Sequence, residues 1–183
     1  MGFRIELPDE VDIRRPDLAV VLNDNQVPLL PNDKCYKGIF NLCVEAISDA
    51  TAETITRDTV TKKGEYAQSG IKEYYILDGN KNHTQFYRLG AKSVYDPIKP
   101  VTGIIKSQVL PGFQFRVKDL YHRPTPDEMI QDSVYNFVLP GYSKAKEARQ
   151  QAETRALETE IIRLKEAEAE IARLKALLAA KED

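Results

Sequence analysis

The chain has 183 residues, of which 42% are hydrophobic and 30% are charged. This length and composition fit one compact domain with an appendage and exclude an intrinsically disordered chain. The formal net charge of -2 provides no overall attraction to polyanions, so contact with nucleic acid would require a local basic patch.

The cysteine content and the hydropathy pattern indicate a cytoplasmic protein. The two cysteines, Cys35 and Cys43, lack a CxxC spacing and are interpreted as reduced thiols. The sequence shows no signal peptide and no run of about 18 apolar residues of the kind that crosses a membrane. We therefore predict a cytoplasmic location and no membrane partner.

The first 125 residues contain short β-rich runs that alternate with turn signals. In chain order, we predict strands at 17–22, 40–47, 73–78 and 84–89. The segment 79–83 between the last two has the composition of a hairpin loop. Two further segments, 104–110 and 113–120, flank a second turn at Pro111-Gly112.

One helix interrupts these strands. It is predicted from about Thr54 to Ser69, and Gly70 fits the residue that follows a helix C-cap. Because this helix lies between two predicted strands, the order indicates an α/β fold or an α+β fold with a mixed sheet.

The composition changes near residue 125. Prolines mark a linker, and after it Ala, Glu, Arg, Lys and Leu predominate with no Gly or Pro from 143 onward. We therefore predict a core domain at 1–123, a linker at 124–142 and a long helix at 143–183.

The C-terminal segment repeats apolar residues at a spacing of seven, at Leu157, Leu164, Ile171 and Leu178. Most of the alternate seam positions are supplied by Ile161, Ala167 and Leu174. This heptad pattern predicts a short coiled coil and a homo-oligomer formed through the helix. The alternative is a single solvated helix.

An acidic residue, Glu45, lies inside the apolar run 40–47. Burying a carboxylate is costly unless it is paired or binds a metal, so Glu45 needs a partner. Asp17 opens the preceding predicted strand, where a sheet edge can present its carboxylate to a cleft. Carboxylates on two adjacent strands would supply hard oxygen ligands to Mg2+ (or Mn2+). The alternative for Asp17 is a turn or cap residue.

Three residues of the predicted helix, Asp58, Lys62 and Tyr66, recur every four positions and share one face. In the catalytic interpretation, Lys62 stabilises charge that develops at the scissile phosphate, while Tyr66 supplies a hydroxyl or a packing wall. The alternative is a surface ion pair of Asp58 and Lys62 beside a half-buried Tyr66.

Two hydroxyl residues, Ser48 and Thr51, directly follow the strand of Glu45. Their side chains would bind phosphate or substrate backbone. The alternative is that they form the turn and cap the helix.

Other chemistries lack the necessary residues. His83 and His122 are the two histidines of the chain, too few for a zinc cluster or a His-based triad in these positions. The sequence has no Gly-rich phosphate loop. A small basic rim around the expected cleft would come from Arg14, Arg15, Lys62, Lys63 and Lys72.

Several blocks of the sequence, taken in order, resemble one family. They are RRPDLAVV, LCVEAISDAT, RDTVTKKGEYAQSGIKEYYILD, FYRL and SQVLPGFQFRVKDLY, and they span Arg14 to Tyr121. This ordered set is similar to the Uma family of restriction endonucleases in the PD-(D/E)XK nuclease superfamily. The resemblance implies a restriction-endonuclease-like core and a metal-dependent phosphodiesterase whose substrate is DNA.

The resemblance also implies roles for three residues. Asp17 matches the acid of the PD element, and Glu45 matches the acid of the E-x-K element. The superfamily lysine would stand at Ile47, but the Uma pattern places a lysine on the following helix, where Lys62 lies. By this analogy, Asp17 and Glu45 hold Mg2+, and Lys62 positions or polarises the attacking water.

The N-terminal side departs from the family, because the chain reaches its PD element by residue 17. Family members usually carry a longer region there, so we expect the sheet to lack strands and to leave an exposed edge. Two hypotheses follow. The first is a Mg2+-dependent DNA endonuclease or its surviving core, and the second is a non-catalytic oligomerising or binding module that keeps the fold.

Overall fold

The computed structural model describes residues 1–6, 11–47, 51–137 and 141–179. The chain divides into two compact units, Met1–Arg123 and Pro124–Asp183. The first unit combines mixed sheets with a helix, and the second contains a long helix, so the predicted mixed α/β class is confirmed.

The strands of the first unit are short. In chain order they are β1 (Gly2–Glu6), β2 (Val11–Arg14), β3 (Leu18–Val20), β4 (Cys35–Tyr36), β5 (Leu42–Ile47), β6 (Glu73–Asp78), β7 (Gln85–Leu89), β8 (Tyr95–Pro97), β9 (Ile104–Lys106) and β10 (Gln114–Arg116). Strands β3, β5, β6 and β7 lie within or match the four predicted runs, and β9 and β10 form an antiparallel pair across the turn at Pro111-Gly112.

The central sheet has five strands in the order β3-β5-β6-β7-β8. The pair β5 and β6 is parallel, and the other pairs are antiparallel. A parallel pair needs a crossover, which the predicted helix supplies. Strand β3 is at one edge of this sheet, and Leu18 on it is exposed.

The crossover helix has three consecutive segments: α1 (Ala52–Thr56), a π-helical turn (Arg57–Thr61) and α2 (Lys62–Gln68). At its start, the Thr51 hydroxyl accepts a hydrogen bond from the Thr54 amide at 3.2 Å, as expected for an N-cap. At its end, Gly70 has a φ of +86°, a left-handed conformation that glycine adopts without strain.

Side chains alternate between the two faces of the central sheet, and each face is covered by a buried cluster. The crossover helix covers the face that carries Cys43, Glu45 and Ile47, and Tyr66 packs there. The opposite face carries Leu42 and packs against a second cluster that includes Tyr75, Phe86, Ile105 and Val109.

A three-stranded sheet, in the order β2-β1-β4, packs on the helix side. Its β1-β2 hairpin provides strands before residue 17, where the sequence analysis expects strands to be lacking. Phe3 and Ile5 are fully buried, and the Phe3 ring centroid lies 4.8 Å from that of Phe40 and 5.8 Å from that of Tyr66. The hairpin therefore completes the core around the helix.

A second buried acid, Glu73, lies on the opposite face of the sheet from Glu45. Its oxygens accept hydrogen bonds from the Tyr75 hydroxyl at 2.7 Å, the Ser107 hydroxyl at 2.6 Å and the Gln108 amide at 2.8 Å. Arg88 also lies 3.0 Å away. This carboxylate is satisfied by the fold itself.

The second unit begins with α4 (Pro126–Ile130), which follows α3 (Asp119–His122) at the end of the first unit. Thr125 and Glu128 form a capping box at the start of α4. The long helix α5 (Tyr142–Ala179) follows, with exposed apolar side chains at Leu157, Ile161, Leu164 and Ile171. None of the described helices combines the length and apolar character needed to cross a membrane.

Candidate active site

Glu45 lies near the end of β5 and is 2% exposed, although it carries a carboxylate. Its Oε1 accepts a hydrogen bond from the Tyr66 hydroxyl at 2.8 Å, and its Oε2 lies 3.0 Å from Lys62 Nζ. Burial raises the pKa of Glu45, and the hydrogen bonds from Tyr66 and Lys62 oppose that rise. The expectation that this acid needs a partner is met by two residues of the crossover helix.

Lys62 bridges two acids. Its Nζ lies 3.0 Å from Glu45 and 2.8 Å from Oδ1 of Asp58. The ion pair of the alternative interpretation therefore forms, but it is buried and not on the surface, because Lys62 is 7% exposed and Asp58 is 4% exposed. The three side chains form a buried ion triad, which is electrostatically costly to assemble and is retained here beside a cleft.

The π-helical turn shapes this triad. The Lys62 amide donates to the carbonyl oxygen of Arg57, five residues earlier, and the Asp58 carbonyl accepts from the Tyr74 hydroxyl at 2.9 Å. Such turns occur often at functional sites because they shift side chains relative to a regular helix. Here the turn directs Asp58 and Lys62 toward β5.

Asp17 lies at the edge of the same region. Strand β3 pairs with β5 in an antiparallel register that ends at Leu18 and Val44, and one step further brings Asp17 level with Glu45. Residues opposed in this way project from the same face of a sheet. Oδ2 of Asp17 accepts a hydrogen bond from the Ala46 amide at 2.7 Å, which holds this exposed side chain against β5.

One open cleft of ≈ 640 Å³ connects these groups. Asp17, Glu45 and Lys62 all line it, so the structure brings the three predicted catalytic residues together. The other lining residues are Ile13, Arg14, Arg15, Ala46, Arg57 and Asp58.

The three predicted substrate-binding residues are placed differently. Ser48 lies outside the described residues. Thr51 caps the crossover helix, as in its alternative interpretation, and is exposed. Tyr66 is fully buried, and its hydroxyl donates to Glu45. Burial, followed by the nearby Glu45 charge, raises the pKa of Tyr66. A substrate-binding role for these residues stays a prediction.

Sequence reasoning missed the contact between Arg14 and Glu65. Arg14 at the end of β2 makes a bidentate pair with Glu65 on α2, with both nitrogen–oxygen distances 2.6 Å. Asp12 also lies 2.6 Å from the guanidinium. The hydrogen bond to Glu65 raises the pKa of Arg14. The one signal available was that Glu65 falls three positions after Lys62, on a neighbouring part of the helix surface.

The donor set is suitable for magnesium. This ion binds oxygen ligands and often uses one or two carboxylates, with water and phosphate oxygens completing its octahedron. Asp17 and Glu45 supply two such carboxylates to one cleft. Among the described residues, no group of three or more His, Cys, Asp or Glu side chains is arranged to hold a metal. What fits Mg2+ here is therefore the oxygen chemistry of the two carboxylates and not a preformed cluster of ligands.

Comparison with known proteins agrees with the resemblance. The model of the Uma2 family, whose description is "Putative restriction endonuclease", matches residues 1–118. The matched range contains all the residues that line the cleft. No curated protein matches the chain.

Proposed function

Because the chain belongs to the Uma2 family, whose description is "Putative restriction endonuclease", we propose that it is a Mg2+-dependent DNA endonuclease that hydrolyses phosphodiester bonds. The single observation that carries this proposal is that Asp17, Glu45 and Lys62 line one cleft. A carboxylate pair beside an ammonium group is suited to phosphoryl chemistry, in which charge accumulates on oxygen.

Asp17 and Glu45 are the residues that would hold Mg2+ (or Mn2+). When bound, such an ion supplies Lewis-acid stabilisation of phosphate oxygens and lowers the pKa of water. The backbone hydrogen bond to Asp17 and the Tyr66 hydrogen bond to Glu45 restrict both carboxylates before substrate arrives. Preorganisation of this kind lowers the reorganisation needed in the transition state.

Lys62 is the catalytic cation of this proposal. Its ammonium lies at the cleft between Glu45 and Asp58, so it can donate to a phosphate oxygen or orient the attacking water. Asp58 does not need to contact substrate, because its contact with Lys62 fixes the position of the ammonium. We therefore assign Asp58 and Tyr66 as positioning residues.

The comparison of Glu45 with Glu73 supports this assignment. Both acids are buried on adjacent strands and both accept from donors of the fold, Glu73 from Ser107 and Gln108 and Glu45 from Tyr66 and Lys62, but Glu45 also lines an open cleft. A carboxylate with purely structural partners has no need of an opening to solvent. The location of Glu45 is therefore better explained by a ligand.

The test is incubation of the full chain with plasmid DNA and Mg2+ or Mn2+. Glu45→Gln and Lys62→Met are expected to abolish cleavage while retaining approximate side-chain volume. Glu73→Gln is the matched control, because it neutralises a buried acid on the opposite face of the sheet. It is expected to lower stability and to leave the folded fraction able to cleave.

Two results would contradict the proposal. Cleavage that persists in both Glu45→Gln and Lys62→Met would place the chemistry elsewhere. A folded, metal-binding protein that cleaves no DNA would favour the second hypothesis, a non-catalytic oligomerising or binding module.

The proposal includes self-association through α5. The apolar side chains of Leu157, Leu164 and Ile171 are exposed along this helix at heptad spacing, and Ile161 is exposed on the alternate seam. Covering such a stripe with an identical helix would bury apolar surface, which is the driving force of a coiled coil. A homo-oligomer would bring two or more nuclease units to one DNA molecule.

A further inference from the structure

The basic residues near the cleft differ in whether their charge is already paired. Lys62 lies between Glu45 and Asp58, and Arg14 is held by Glu65 and Asp12. The remaining lysines of the predicted rim lie away from the cleft. Lys63 Nζ lies 4.2 Å from the centroid of the Tyr87 ring, and Lys72 lines a different groove. The predicted rim therefore contributes one further cation, Arg15.

Arg15 is exposed and lines the cleft. Within the described part of the chain, its guanidinium makes no ion pair or hydrogen bond. Its stem lies close to Gly2 on β1, where an added Cβ would come within 3.1 Å of Arg15 Cγ. The absence of a side chain at Gly2 thus lets the Arg15 stem pass over β1 at the rim of the cleft.

Arg57 supplies a second rim cation, which the sequence analysis did not include. Its side chain is 55% exposed, and its Nε lies 3.3 Å from Oδ1 of Asp58. This is the one ion pair of Arg57 among the described residues, and it leaves the terminal guanidinium nitrogens available for a ligand. Because Arg57 begins the π-helical turn, its position is coupled to that of Asp58 and Lys62.

The charges of the cleft are separated into an acidic floor and a basic rim. The floor has the buried carboxylates of Glu45 and Asp58 and a single buried ammonium, that of Lys62, and the exposed carboxylate of Asp17 lines the same cleft. Such a floor attracts a divalent cation but repels a phosphate. Since the whole chain has a net charge of -2, attraction of a polyanion must come from local cations such as Arg15 and Arg57.

We propose that Arg15 and Arg57 bind phosphate oxygens of the DNA backbone and so position the duplex over the carboxylates. This inference rests on the proposed function and names the residues that contact the substrate. A guanidinium presents a planar fork of N–H donors that matches two phosphate oxygens. Contacts of this kind fix the register of a protein on DNA without reading its sequence.

The test measures binding of a fluorescently labelled duplex DNA to the full chain with Ca2+ in place of Mg2+. The variants are Arg15→Gln, Arg57→Gln and the double variant, and Lys99→Gln is the charge-matched control. Lys99 is exposed and follows β8, at the edge of the central sheet opposite β3. Affinities are compared over about 50 to 200 mM salt, where counterion release makes log K linear in log salt.

We expect each arginine variant to weaken binding and to make the slope of log K against log salt shallower by about one. The double variant should make this slope shallower by about two. The loss should be the same for duplexes of unrelated sequence, and Lys99→Gln should behave as the unaltered protein. Arg15→Lys and Arg57→Lys should recover part of the affinity, because they keep the charge and lose the planar fork. Unchanged melting temperatures would show that the variants are folded.

The outcomes separate this inference from the proposed function. If the unaltered protein cleaves DNA and both glutamine variants keep its affinity and salt slope, the inference is overturned and the nuclease proposal stands. If the variants bind more weakly but the unaltered protein never cleaves, the phosphate contacts stand and the nuclease proposal fails. If the unaltered protein binds no DNA at about 50 mM salt, both are overturned.

Discussion

The ammonium of Lys62 lies 3.0 Å from the carboxylate of Glu45, and the two residues come from a helix and a strand that pack face to face. Both are almost fully buried, with exposures of 7% and 2%. Asp58 holds the ammonium from its other side at 2.8 Å. This relationship links the stability of the fold to the proposed chemistry, because the same charge balances two buried acids.

Replacing Lys62 with methionine should destabilise the protein by about 3 kcal/mol, because it leaves two buried carboxylates without a counter-charge. Urea unfolding would measure the change in the free energy of unfolding. The triple variant Glu45→Gln/Asp58→Asn/Lys62→Met should recover most of this loss, since no buried ion of the triad then remains to be paired and Arg57 is exposed. A Lys62→Met variant as stable as the unaltered protein would show that the triad contributes nothing to the fold.

The Tyr66 hydroxyl should matter more for cleavage than for stability. Tyr66→Phe keeps the ring contacts and removes the hydrogen bond to Glu45, at a cost of about 1 to 2 kcal/mol. The matched control is Tyr95→Phe, which removes a buried hydrogen bond to the carbonyl of Ile71 away from the cleft. We expect the two variants to lose similar amounts of stability. Only Tyr66→Phe should also lower the cleavage rate. Equal rates in the two variants would argue against a positioning role for Tyr66.

Arg14 and Glu65 should be energetically coupled. A double-mutant cycle with Arg14→Gln and Glu65→Gln is expected to give a coupling free energy of about 1 to 3 kcal/mol, because the pair is bidentate and partly buried. The exposed pair Arg149–Glu153 has a nitrogen–oxygen distance of 3.0 Å and should couple by no more than about 0.5 kcal/mol. Similar coupling energies for the two pairs would mean that Arg14 does not hold the β1-β2 hairpin on the helix.

Addition of Mg2+ or Mn2+ should raise the melting temperature, because a ligand that binds the folded state stabilises it. At a metal concentration of about one hundred times the Kd, the free energy of unfolding rises by about 2.7 kcal/mol. Asp17→Asn and Glu45→Gln should lose this gain, whereas Glu73→Gln should keep it from a lower starting temperature. A metal-induced rise that survives both cleft substitutions would point to another metal site.

The α5 helix should determine the oligomeric state. Leu164→Glu and Ile171→Glu place charges on the proposed seam and should convert an oligomer into a monomer in sedimentation velocity. Ile162→Glu is the control, since Ile162 is also exposed but lies off the seam. A monomeric unaltered protein at all concentrations would support the alternative of a solvated helix.

The secondary structure around the site could be predicted because it follows from local patterns. The run 73–78 carries aromatic and aliphatic residues at 74–77 between two acids, and it forms β6 with the predicted bounds. The turn residue Gly70 ends the helix where its left-handed conformation was expected. The β1-β2 hairpin was missed, because its strands alternate charged and apolar residues over lengths too short to be distinctive.

The sequence predicts which residues form the candidate site, but it does not predict which of them contact one another. An acid in an apolar strand needs compensation wherever the strand lies, so the sequence alone indicates that Glu45 has a partner. Asp58, Lys62 and Tyr66 are four residues apart, which places them on one helix face. The sequence could not show whether that face meets Glu45 or solvent, since an exposed ion pair has the same spacing.

Local periodicity in the chain was sufficient to predict β3, β5, β6, β7 and the crossover helix in their order, the acid inside β5 and the shared face of the crossover helix. Packing between distant segments settled the rest: the burial of the triad, the pairing of Arg14 with Glu65 and the separation of charges between floor and rim. The physical reason is that the periodicity of apolar residues shows which face of one helix or strand is buried, and not what that face packs against. The balance of desolvation and pairing for a charged group depends on elements that may be 51 residues apart, as Arg14 and Glu65 are.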